Sequence, residues 1–172
     1  ATGSFSINEI GRAVAEGEGL SSILMIGVLL ILASFVFKVG AAPFHFWSPD
    51  VYDGAPHAVT GFMASVVKMA AFGAFLKLFA VCFGSGELYD FWSAALAVLT
   101  VITLFVGNLS ALRQVRLKRL LAYSSITHVG YTLLVILTMK LPLSAYDLWF
   151  YMAGYGFSII AIITVGIIVN DE

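Results

Sequence analysis

The sequence predicts an all-α fold: a polytopic membrane helix bundle of about five transmembrane helices, the first of them discontinuous near Pro43. Three observations carry this. Of 172 residues, 60% are hydrophobic and 11% charged, and mean hydropathy is +0.99. A soluble domain carries about 25% charged residues, so the apolar surplus must face lipid. Five apolar runs approach the ~20 residues that cross a bilayer as a helix. No run alternates with period two, which argues against a β-barrel. Residues 1–172 therefore read as a single transmembrane domain.

The first run extends from Leu20 to Val39. Gly40 and Pro43 should stop that helix, yet Ala41, Ala42, Phe44, Phe46 and Trp47 remain apolar. That combination describes a broken helix whose second half is still buried. Broken helices occur at membrane depth where they line a cavity, as at ion sites in transporters. The second run covers Pro56 to Val81, the third Phe91 to Gly107, the fourth Arg119 to Met139 and the fifth Leu143 to Val169, with Pro142 at its start. Gly84, Ser85, Gly86 and Glu87 separate the second and third. Trp47, Trp92 and Trp149 fall near helix ends, which suits an interfacial belt, or interior packing for Trp47. The first nineteen residues are polar, Gly-rich and acidic, without the pattern of a secretory signal. The chain starts at Ala1 and ends just after an apolar run, so a fragment of a longer protein is expected.

Charge sets the orientation. Arg113, Arg116, Lys118 and Arg119 crowd one connection, whereas the opposite side has Arg12, Lys140 and Lys77. The positive-inside rule makes 108–119 and 40–56 cytoplasmic. The basic connection reads as a topology signal, or as a docking surface for lipid head groups or a neighbouring subunit. A net charge of −1 gives no case for nucleic acid. The one cysteine, Cys82, supports neither a disulfide framework nor a metal site. His45 and His57 are too weak a pair to hold a metal alone. Nucleophile constellations and Gly-rich phosphate loops are absent from the sequence.

The informative groups are those that do not belong in a membrane. Lys68 lies twelve residues after Pro56, ~18 Å along the helix at ~1.5 Å per residue, near the midplane. Such a group is costly unless it faces a polar interior, which makes it a functional candidate. Lys77 is close enough to the helix end to snorkel. Lys38 sits at the break, where freed carbonyls can solvate an ammonium, and it is expected to face the bundle interior. His128 is ten residues past Lys118, ~15 Å into its helix. Ser124 and Tyr131, four back and three on, share its face, with Ser125 beside them. Histidine titrates near neutrality, and hydroxyls can relay a proton. No carboxylate falls inside a helix, so the lysines require either a neutral form or a partner on another helix.

These residues carry a family resemblance. The Pro-Phe-His-x-Trp-x-Pro-Asp-Val-Tyr-x-Gly-Ala-Pro pattern from Pro43 to Pro56, and the stretch from Gly107 to Tyr131 with Ser-Ser-x-x-His-x-Gly-Tyr at 124–131, resemble the antiporter-like subunits of respiratory complex I, the N type most of all. The resemblance implies that the five helices correspond to helices 7–11 of a fourteen-helix proton-pumping subunit. It implies proton-translocation roles for Lys38, Lys68 and His128, with Ser124, Ser125 and Tyr131 as candidate relays and Gly40 and Pro43 as the helix break. It implies membership in an NADH:quinone oxidoreductase, a translocase whose FMN, iron–sulfur clusters and quinone are held by other subunits. The partners implied are other membrane-arm subunits, including other antiporter-like ones, and the lipid of a bacterial inner membrane. Two other readings remain at this point: an Mrp-type cation/proton antiporter subunit, and a structural membrane subunit without an ion path. The Asp-Val-Tyr motif argues against the first, the midplane lysine against the second.

Overall fold

The computed structural model describes residues 3–16, 22–84, 86–141 and 144–170. Eight α-helices run through them: α1 (Ile7–Ala15), α2 (Ser22–Val39), α3 (Trp47–Gly54), α4 (His57–Phe62), α5 (Lys68–Phe83), α6 (Gly86–Ala111), α7 (Leu117–Leu137) and α8 (Ser144–Asn170). A π turn over Met63–Val67 joins α4 to α5 in one rod, His57–Phe83. That rod, α2, α6, α7 and α8 are each long and apolar enough to cross a membrane. The five expected spans are thus present. The third is longer than the apolar run suggested, because Glu87 and Asp90 lie exposed on its opening turns. Pro142, expected to open the fifth span, lies outside the described residues, as does Ser85.

The first span breaks where the sequence indicated, for a reason that can be read atom by atom. Gly40 has φ +76°. Its N–H donates to Phe37 O (3.1 Å), and the Ala41 N–H donates to Val36 O (2.9 Å). This pair of bonds around a left-handed residue is the Schellman stop. Backbone groups of the link still need partners in an apolar setting. Thr103 of α6 answers one of them, its hydroxyl accepting from the Ala42 N–H at 3.0 Å. Trp47 donates its indole N–H to Phe37 O at 3.1 Å, a second bond on the carbonyl that already accepts from Gly40. Trp47 therefore packs across the break.

Helix α7 is the hub. It buries Ala122, Ser125, Ile126, Val129, Gly130, Leu133 and Ile136. Two glycines let α6 approach it closely: a Cβ on Gly107 would lie 2.6 Å from Thr127 Oγ1, and one on Gly130 would lie 2.7 Å from Leu104 Cδ2. An aromatic ladder fills the other end, with Phe35 on Phe75 (4.9 Å between centroids), Phe75 on Phe79 (4.7 Å) and Phe79 on Trp92 (4.8 Å). Trp92 is fully buried and donates to Phe83 O at 2.9 Å. The belt position expected for it is corrected: its ring belongs to the ladder, and its N–H satisfies a C-terminal carbonyl of α5. Trp149 is half exposed, its ring against Gly73.

The basic connection turns out to hold the chain to itself. Arg116 pairs with Asp53 (2.7 Å), Arg119 pairs with Asp50, and the Lys118 ammonium donates to Ala55 O (2.9 Å). Helix α3 is thereby fastened to the start of α7, and the two connections expected on one side do share one end of the bundle. The opening segment, polar, Gly-rich and acidic in sequence, carries α1, which packs across the end of α5. Its Gly11 lies so close to Val81 that a Cβ would sit 2.5 Å from the carbonyl oxygen.

Candidate functional site

Lys68 is the first residue after the π turn and is 4% exposed. Its ammonium donates to Ser125 Oγ and reaches Ser125 O at 3.5 Å. The Tyr52 ring of α3 lies 5.8 Å from Nζ, within the range of a cation–π contact. Among the described residues, no ion pair involves Lys68. Its surroundings are therefore hydroxyl, carbonyl and aromatic face. A hydroxyl both donates and accepts, so Ser125 can accept from the charged lysine or donate to the neutral one. An aspartate in its place would hold the ammonium and resist its deprotonation.

Lys38 is placed differently from the expectation. It is exposed, not turned into the bundle. The reason lies in α2, which buries Leu24, Val28, Leu32 and Val36 at four-residue spacing. Lys38, two positions past Val36, is about 200° around the helix from that stripe. It nevertheless lines one open cavity of about 370 Å³ together with Lys68, Tyr52, Trp47 and Met63.

His128 is half-buried on α7. Its Nδ1 is 2.6 Å from the Tyr151 hydroxyl of α8, and its ring lies against Tyr155, 4.5 Å between centroids. Whichever ring nitrogen carries the proton, a phenol can serve it. His128 and Ser124 line a second cavity of about 370 Å³ with Tyr151, Tyr155 and Ser158. Tyr131 meets His128 edge-on at 6.1 Å and is 43% exposed. Of the three hydroxyls expected around the histidine, Ser124 shares its cavity, Ser125 serves Lys68, and Tyr131 points largely away.

Sequence reading overlooked the tyrosines of α8. Tyr151, Tyr155 and Ser158 follow at spacings of four and three, which puts them on one helical face. That stripe was a legible signal. Tyr52 was seen only as part of a motif, because nothing local indicates that α3 folds back over α5.

Comparison with known proteins settles the family. Residues 1–172 match the family model described as NADH:quinone oxidoreductase/Mrp antiporter, transmembrane. The chain belongs to that family. Among relatives of this antiporter-type family, the NADH-quinone oxidoreductase subunit N of Nocardioides sp. is 41% identical across 99% of this chain and 33% of its own length. Subunit N of Salinispora arenicola is 45% identical across 94% of the chain and 31% of its own. A chain of respiratory complex I from Thermus thermophilus, solved with bound aureothin, superposes with a TM-score of 0.68 at 36% identity, over 91% of this chain and 36% of that one. The chain thus spans about a third of the length of the curated relatives it matches. With five membrane-capable helices, it is a multi-pass membrane protein of the antiporter-type family.

Proposed function

We propose that the chain is part of a membrane-arm subunit of a proton-translocating NADH:quinone oxidoreductase, and that Lys68, His128 and Lys38 carry part of its proton path. The observation that carries this is Lys68: an ammonium 4% exposed, beside hydroxyls that suit both of its protonation states. Lys38 on the shared cavity is the natural exchange partner on one side, and His128 on the other. Ser125 relays next to Lys68, Ser124 lines the histidine's cavity, and Tyr131 stands at its edge. Residues 1–172 correspond on this reading to helices 7–11 of fourteen, in a bacterial inner membrane beside other antiporter-like subunits. The basic end of the bundle faces the cytoplasm.

The redox chemistry of such a complex lies elsewhere. An iron–sulfur cluster needs several thiolates, and this sequence has one cysteine, buried with its thiol on Ile7 O (3.3 Å). FMN, iron–sulfur clusters and quinone belong to other subunits of the parent complex.

The test is Lys68→Ala in the full-length subunit of the assembled complex. Proton uptake into inverted vesicles and NADH oxidation are followed together. Uptake should fall by about tenfold or more, a barrier increase of ~1.4 kcal/mol or more. Wild-type uptake from a correctly assembled variant would return Lys68 to a structural role.

A further inference from the structure

We propose that the Tyr155 hydroxyl is the link through which a proton passes between the Lys68–Ser125 pair and His128. The inference rests on the proton-path reading above and adds a residue and a route to it. Tyr155 stands between the two groups. Its ring lies on the imidazole of His128, 4.5 Å between centroids. Its hydroxyl faces Ser125, the hydroxyl that holds Lys68, with no hydrogen bond formed between the two.

The decisive feature is what this hydroxyl lacks. Tyr155 is 7% exposed, and its Oη is fully buried without a hydrogen-bond partner among the described residues. Burying an O–H unpaired carries a penalty that a phenylalanine of the same shape avoids. A buried polar atom of this kind is ordinarily met by water when the site is polar and roomy enough. Such a space adjoins it: the Tyr155 side chain lines a cavity with His128, Ser124, Tyr151 and Ser158, and water reaches the covered oxygen as the side chain moves. A water there completes the gap between two groups that already have partners of their own. Tyr52 of α3 and Tyr151 of α8 are the other titratable groups facing Tyr155, and neither bridges Ser125 to the histidine.

The transfer balances without a further reactant. The Lys68 ammonium gives a proton to Ser125 Oγ, and the Ser125 hydroxyl, once it and the Tyr155 side chain close to hydrogen-bond distance, passes its own proton to Tyr155 Oη. The phenol proton moves to a water in the cavity, and that water gives one of its own to His128. Lys68 ends neutral, His128 ends as a cation, and the three relays are regenerated with exchanged protons. The reverse sequence returns the charge.

The test is Tyr155→Phe in the assembled full-length complex, with Lys68→Ala measured in parallel. The substitution keeps the ring on His128 and breaks no protein hydrogen bond, so assembly and thermal stability should be unchanged or slightly improved. Proton uptake should fall roughly three- to tenfold, the worth of one hydrogen bond in the path. Its solvent deuterium isotope effect should rise as proton transfer becomes the slower step. Wild-type uptake in Tyr155→Phe beside a dead Lys68→Ala would overturn this inference and leave the general reading standing. Wild-type uptake in Lys68→Ala would remove both. A loss that comes with lower thermal stability, or with an unchanged isotope effect, would mark a packing role and overturn the relay.

Discussion

Lys68 and Lys38 are both lysines in apolar helices, and the fold treats them oppositely. Lys68 is enclosed by three elements: α5 carries it, α7 supplies Ser125 and α3 lays Tyr52 over it. Lys38 stands at the end of α2, exposed, with the cavity wall on one side. The break in the first span does not by itself bury the lysine beside it. Burial follows the side-chain stripe of the helix, and the stripe of α2 runs through Val36, about 200° around the helix from Lys38. An enclosed group has its protonation governed by fixed partners, whereas an exposed one is governed by whatever medium or neighbour meets it.

Several measurements would break or sharpen that contrast. The largest effect belongs to Lys68→Arg, which should pump nearly as poorly as Lys68→Ala, because arginine keeps its proton in any protein setting. Restored uptake in the arginine variant would mean that a fixed charge suffices there. Ser125→Ala comes next. It leaves a buried ammonium with a carbonyl at 3.5 Å as its remaining protein hydrogen bond, so thermal stability should drop by about 1–3 kcal/mol, with pumping reduced several-fold. Unchanged stability would show that the lysine finds another partner. His128→Ala should cost less pumping than Lys68→Ala, since hydroxyls and water can partly replace a relay; an equal loss would make the histidine obligatory. Gly40→Ala should lower stability by about 1–2 kcal/mol through its left-handed backbone, without altering the pH dependence of uptake. Lys38→Ala should leave stability unchanged, within about 0.5 kcal/mol for an exposed site, while lowering uptake modestly. A stability loss would show that Lys38 is enclosed in the full-length subunit.

The parts legible in the sequence were those encoded locally. Five spans follow from apolar run length, the break follows from Gly40 and Pro43, and the depth of Lys68 follows from counting residues. What was missed depends on which helix lies beside which. The partner of His128 is twenty-three residues away on another helix, and no spacing rule on α7 points to it. Trp92 lies near a helix end, where belt and ladder predict the same residue type. Helix α1 shows its Ile7, Ile10 and Val14 spacing only once its short length is allowed for, and Gly11 and Glu9 mask it. The tyrosine stripe of α8 is the one oversight that periodicity would have caught.

The π turn over Met63–Val67 has a consequence for rotational phase. Each residue of a helix turns the chain by about 100°, so one residue more or less in that turn would swing everything after it around the axis. Lys68 would leave Ser125 and face another side of the rod, while Phe75 and Phe79 would turn out of the aromatic ladder with it. The turn therefore acts as a spacer whose length matters more than its side chains. Exchanging exposed Val66 for another apolar residue should be tolerated, while deleting any one residue between 63 and 67 should disconnect the lysine even though every functional side chain is still present in the sequence.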